Sequence, residues 1–208
     1  MIDLYCERVA IGLLGEPLNA ISNVAFFVAA EMSRRQLRRH GQTIVPAAIL
    51  AAIGLGSSLF HTFATQWAEW SDAVPIFAFQ LTFLWLYLRD CVALARRERI
   101  VALAAFSAAT AIASAFPHIA HGSLAYLPSV LVLLMLAGWA SENRQSEFKQ
   151  LNQAARLFGI SLIVRTIDIP LCVWWPWGTH FVWHLLNATV LYLLLTAYAS
   201  AAPQPVES

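Results

Sequence analysis

Seven apolar stretches, at about 17–33, 44–64, 73–90, 100–116, 123–140, 155–172 and 180–199, take up most of the 208 residues. Each is roughly long enough to cross ~30 Å of hydrocarbon at 1.5 Å per residue. Segments that cross a bilayer must satisfy their own backbone hydrogen bonds, which leaves few folds open. The expectation is an all-α integral membrane protein, a bundle of seven transmembrane helices. Only 12% of the residues are charged, against about 25% in an ordinary soluble domain.

The placement of those charges orients the bundle. Arg34, Arg35, Arg38 and Arg39 follow the first stretch, and Arg89, Arg96, Arg97 and Arg99 follow the third. Arg144, Lys149 and Arg156 follow the fifth, so eleven of thirteen cationic residues fall on one side. By the positive-inside rule that side is cytoplasmic, which puts the N-terminus outside and the C-terminus inside. A net charge of +1 gives no sign of a nucleic-acid partner. Residues 1–200 read as a single domain and 201–208 as a disordered cytoplasmic tail, with no internal repeat, linker or cleavable signal peptide. Abundant Ala and Arg point to a bacterial source, hence to an inner membrane.

Polar groups gather on the other, outer side. Ser57 and His61 lie four apart at the end of the second stretch, and His180 and His184 lie four apart at the start of the seventh. Residues at i and i+4 share a helix face about 5–6 Å apart. Unpaired polar groups at a membrane edge are costly, and a metal is the simplest reason to keep three imidazoles there. Three neutral histidines leave one position of a tetrahedral zinc open for water. His118 and His121 form a rival pair, but in a Pro- and Gly-flanked connection with no third partner, which reads as a solvated loop.

Asp72, at the outer start of the third stretch, has two readings: a helix N-cap, or a carboxylate that takes the proton of a reacting water. Arg165 and Asp168 sit at i and i+3 in the sixth stretch and are expected to neutralise each other. Asp168 could instead orient a ligating histidine. Glu16, Asn19, Ser22 and Asn187 are candidates for supporting hydrogen bonds between helices. Six of eight tryptophans (Trp67, Trp70, Trp174, Trp175, Trp177 and Trp183) lie on the outer side and read as an interfacial belt. Cys6 and Cys172 also fall there, and either a disulfide or two free thiols fits.

In their order and spacing these residues resemble the alkaline ceramidases and their bacterial relatives. Those belong to a wider group of seven-helix membrane hydrolases that includes the adiponectin-receptor-like proteins. The likeness rests on Tyr5-Cys6-Glu7-Arg8, on Glu16, Asn19, Ser22 and Asn23, and on "GSSLFH" ending at His61. Asp72 with Pro75, and "HFVWHLLN" from His180, complete it. The resemblance implies zinc on His61, His180 and His184, Ser57 stabilising an oxyanion, Asp72 as proton acceptor and a Cys6–Cys172 bridge. It also brings in calcium, which some animal members bind through an acidic N-terminal segment. Glu7 and Glu16 match two of those ligands, but their spacing is shorter here and Leu4 stands at an acidic position, which argues against the ion.

The implied activity is zinc-dependent hydrolysis of the amide bond of ceramide or a similar N-acyl lipid, releasing fatty acid and a free amine. Two alternatives belong to other classes. One is a receptor-like lipid-binding bundle with a structural zinc, which the arginine distribution disfavours. The other is a transporter gated by the polar cluster, for which the chain lacks repeated halves and broken helices at mid-membrane.

Overall fold

The computed structural model of the protein describes residues 1–143 and 145–202. All regular structure among them is helical. In chain order the helices are α1 (Pro17–Ser22), α2 (Val24–Arg39), α3 (Val45–Phe63), α4 (Gln66–Asp90) and α5 (Arg96–Ser114). A 3₁₀ segment (Ile119–Tyr126) leads into α6 (Leu127–Asn143), followed by α7 (Gln145–Thr166), α8 (Asp168–Leu171) and α9 (His180–Ala201). The first 16 residues form no helix.

Each apolar stretch of the sequence corresponds to a long helix, though the limits shift. The first is broken at Asn23 into α1 and α2, and the sixth begins ten residues earlier than expected, in a polar run from Gln145. Among the described residues, four helical segments are long and apolar enough to cross a membrane: Val45–Phe63, Gln66–Asp90, Ile119–Asn143 and His180–Ala201. The other three long helices carry too much charge or fall short. Arg96, Arg97, Glu98 and Arg99 open α5, Glu31, Arg34 and Arg35 interrupt the 16-residue α2, and Glu147, Lys149, Arg156 and Arg165 lie along α7. The fourth stretch, from Ile100 onward, is the apolar part of α5, and the helix begins four residues before it in a charged turn.

Helix α9 is the axis of the packing, with buried residues from His180 to Ala201. It packs against α2 and α7, and α3 packs closely on α4. The ends of the elements fix their directions. Tyr198, near the end of α9, donates to Asp90, the last residue of α4, at 2.7 Å and lies 3.2 Å from the side chain of Gln42, which precedes α3. The opposite edge holds the end of α3 and the starts of α1 and α9, and there all three histidines gather. Arg34, Arg35, Arg38 and Arg39 sit at the far end of α2, away from the histidines.

The N-terminal segment folds back over the histidine edge. Ile2 N–H donates to Ala64 O and Gly12 N–H to Thr62 O, both at 2.8 Å. A Cys6–Cys172 disulfide, with Cα atoms 5.4 Å apart, fastens it to the end of α8. Cys91 is buried in the apolar core. Ala201 closes α9 and Ala202 is buried against the bundle. The rest of the expected disordered tail, 203–208, lies outside the described residues.

Candidate metal centre

His61 lies in the last turn of α3, and His180 and His184 lie one turn apart at the start of α9. All three are buried, and one ring nitrogen from each lies within 4.8 Å of the others. Among the described residues this is the one cluster of His, Cys, Asp or Glu arranged to hold a metal ion.

The hydrogen-bond partners assign the tautomers. His61 Nδ1 faces Glu16 Oε2, a carboxylate that can only accept, so Nδ1 carries the proton and Nε2 a lone pair. Ser22 spends its hydroxyl proton on Asn19 O at 2.9 Å, so it must accept from His184 Nδ1 at 2.7 Å. His184 Nε2 therefore also holds a lone pair. Those two Nε2 atoms face each other at 3.2 Å. Two buried lone pairs at that distance repel each other, and a metal ion bound by both would relieve this. His180 Nδ1 is buried nearby without a hydrogen-bond partner. Three neutral imidazoles are a donor set that suits zinc.

His180 is placed through its main chain. Asp168, 1% exposed, accepts N–H bonds from Thr179 at 2.6 Å and His180 at 2.9 Å through Oδ1. Its Oδ2 takes the Cys6 N–H at 2.9 Å. One carboxylate thus caps α9 at the ligand and pins the N-terminal segment beside it. Gly178 makes this approach possible: it adopts φ +61°, and a Cβ there would collide with Asp168 Oδ1. The His180 ring is sandwiched between Tyr5, with centroids 3.6 Å apart, and Trp183, at 5.0 Å.

Ser57 and Asp72 meet beside the triad. Ser57 Oγ is 3.4 Å from His184 Nε2, and Asp72 lies near it across the α3–α4 contact. The contact depends on Gly56, where α3 touches α4 backbone to backbone; a Cβ at this position would overlap Ser71 O and press on Asp72 Cα. Since α4 starts at Gln66 with Thr65 as its N-cap, Asp72 lies inside the helix. The N-cap reading is thereby excluded.

The sequence profile of the ceramidase family matches residues 4–204. The chain belongs to the ceramidase family. No curated protein matches it significantly. Family membership makes it a lipid amidohydrolase, and the three histidines give this ceramidase-family chain a site able to hold a metal.

Several expected contacts turn out differently. Arg165 and Asp168 do not pair. The Arg165 guanidinium donates to His121 O at 2.7 Å and Ser123 Oγ at 3.1 Å and lies over the Tyr126 ring, while Asp168 is saturated by backbone amides. A helix brings i and i+3 side chains near each other, but α7 ends at Thr166 and Asp168 opens the separate short helix α8. Asn187 Nδ2 donates to Trp183 O within its own helix rather than across helices. Trp183 is buried against His180 and leaves the interfacial belt, whereas Trp174 is 84% exposed and Trp67, Trp70, Trp175 and Trp177 are exposed with it. His118 and His121 are exposed, as expected of a solvated loop.

The candidate calcium ligands have other partners. Glu7 accepts the Leu18 and Asn19 N–H groups at 2.7 and 2.8 Å, so both its oxygens cap α1. Burial pushes its carboxyl up, against the pull of those two amides. Glu16 holds Arg8 through one oxygen and His61 through the other, which Asn19 Nδ2 also approaches at 3.0 Å. Burial raises its carboxyl to about 7, with the Asn19 bond and the Arg8 charge opposing. Calcium requires 6–8 oxygen ligands, whereas here amides take both Glu7 oxygens and a guanidinium takes one of Glu16's. These residues do not fit calcium.

Tyr5 and Trp183 stand out in the sequence only as parts of a motif and a belt. Neither position carries a local signal of contact with His180. Tyr5 reaches the ring from a segment without regular structure, and Trp183 looks like any other tryptophan at the membrane edge. Below the histidines an apolar cavity is lined by Tyr126, Trp183 and Asn187 near the site and by Phe83, Leu84 and Leu194 further along. From Trp183 to Leu194 it follows α9 for roughly 16 Å, at 1.5 Å per residue.

Proposed function

We propose that the protein is a zinc-dependent intramembrane hydrolase that cleaves the amide bond of an N-acyl lipid, ceramide or a close analogue, into fatty acid and amine. The observation that carries the reading is the pair of imidazole lone pairs, His61 Nε2 and His184 Nε2, facing each other at 3.2 Å with His180 beside them and an apolar cavity beneath. His61, His180 and His184 would hold the zinc. When bound there, the ion supplies Lewis acidity to a water and to the scissile carbonyl.

The chain's own residues do the rest. Asp72 accepts a proton from the attacking water, whose oxygen adds to the carbonyl carbon. Ser57 turns its hydroxyl toward the carbonyl oxygen as negative charge builds there. Asp72 then returns the proton to the amide nitrogen, the C–N bond breaks, and fatty acid and amine leave. The acyl chain lies in the cavity along α9, which keeps it out of water and sets the amide at the histidines.

In the membrane, the reading places all seven long helices across the bilayer, with the histidine edge outward and the arginine-rich ends in the cytoplasm. In a bacterial cell this is the inner membrane with the site toward the periplasm. The charged turns of α2, α5 and α7 then sit at interfaces, where long side chains reach water. The test is incubation of the zinc-loaded protein with a panel of N-acyl lipids, following released fatty acid. His184→Ala and Asp72→Ala should abolish release while the protein stays folded; turnover retained in either defeats the proposal.

A further inference from the structure

We infer that Arg8 is a built-in cation that positions the metal ligand His61, so that the N-terminal segment of this chain organises the site without calcium. The inference rests on the zinc site proposed above and not on the hydrolysis, and metal binding alone tests it.

Arg8 lies in the non-helical N-terminal segment, yet its side chain has no exposed surface. Its Nε pairs with Glu16 Oε1, and Glu16 Oε2 receives the His61 Nδ1 proton. A second arm, Nη2, donates to Phe60 O at 3.3 Å, and Nη1 reaches Ala10 O at 3.4 Å. Phe60 immediately precedes His61, and the guanidinium also rests 5.9 Å from the Phe60 ring centroid. One side chain therefore holds both the carboxylate that orients the His61 ring and the main chain that carries it.

The charge accounting leaves Arg8 no substitute. Glu7 spends both oxygens on the α1 amides, so it neither needs nor neutralises the guanidinium. Without Arg8, the Glu16 carboxylate would be a buried charge whose remaining partners, Asn19 Nδ2 and His61, carry no fixed positive charge. A buried ion stripped of its partner is strongly unfavourable. It must relax toward water, and that movement takes the carboxylate away from the His61 Nδ1 it orients. Loss of such outer partners typically lowers metal affinity 10–100-fold. A guanidinium differs from a bound ion in that a chelator cannot remove it, and its planar fork fixes direction as well as charge.

The test compares wild type, Arg8→Ala and Arg8→Lys in detergent, well below their melting temperatures. Zinc affinity is measured by competition with a fluorescent chelator, with and without millimolar calcium or a calcium-selective chelator. The wild type should show the same zinc affinity and melting temperature under all calcium conditions. Arg8→Ala should bind zinc 10–100-fold more weakly, recover part of that loss with added methylguanidinium, and bind more weakly than Arg8→Lys. Should Arg8→Ala fail to fold, zinc affinity of Arg8→Lys below that of wild type supports the inference and equal affinity overturns it. Wild-type zinc affinity in a folded Arg8→Ala, a loss that methylguanidinium cannot restore, or a wild type strengthened by calcium would each overturn the inference. A wild type that binds no zinc removes the metal-centre reading together with this one; a wild type that binds zinc as tightly as its Arg8 variants removes this one alone.

Discussion

Asp168 offers the sharpest test of how the fold holds its histidines. Its carboxylate is buried and accepts three backbone N–H groups, from Cys6, Thr179 and His180, at 2.9, 2.6 and 2.9 Å. Replacement by Ala orphans all three. A buried donor left unpaired costs about 1–3 kcal/mol, and the amides of Cys6 and Thr179 are part-buried, so water can partly recover them. The sum comes to about 3–5 kcal/mol, which in a chain of this size lowers the melting temperature by roughly 10 °C. Asp168→Asn keeps one oxygen for Thr179 and His180 but turns an amide N–H₂ toward the Cys6 N–H, so its cost is about 1–2 kcal/mol. Fraying of the first turn of α9 also displaces His180, which should weaken zinc binding about 10-fold or more in Asp168→Ala. Thermal unfolding in detergent and a zinc competition titration on the three proteins measure both effects. An Asp168→Ala variant melting within about 3 °C of wild type, or binding zinc equally well, would refute the claim that this carboxylate positions the ligand through the backbone.

Other expectations follow from single contacts. Ser57→Ala removes a hydroxyl donor beside the triad and should lower kcat by about 10²–10³ with zinc content unchanged; an unaltered kcat excludes the oxyanion role. Gly56→Val forces α3 away from Ser71 and Asp72 but leaves the triad on α3 and α9, so turnover should fall about 10²-fold while zinc is retained, as metal analysis and lipid hydrolysis together would show. Opening the Cys6–Cys172 bridge, which spans 166 residues of sequence, should cost about 5 kcal/mol by loop entropy. Melting of a Cys6→Ser, Cys172→Ser protein without a downward shift would argue against that role.

Local sequence determined a good deal of this protein. Hydrophobic runs fixed the helical class and, to within a turn or so for most helices, where the segments lie, because burying backbone in apolar surroundings leaves helix as the outcome. The four-residue spacing of His180 and His184 determined that both rings share a face of α9, and the arginine clusters mark the far end of α2 and the start of α5. The boundaries failed where a helix continued into polar residues, as α7 does from Gln145. Tertiary structure decided the rest. Arg165 and Asp168 looked like partners by spacing, yet the break at Ile167 sends them to different neighbours. Glu7 and Glu16 looked like ligands for an ion, but Arg8 and the α1 amides had already taken their oxygens. Tyr5 stacks on His180 because a disulfide and Asp168 draw a non-helical segment across the bundle, and no periodicity announces a contact made by loop closure. Spacing along one helix is a local property of the chain; which groups face one another across helices depends on packing, and the metal site lies on that second level.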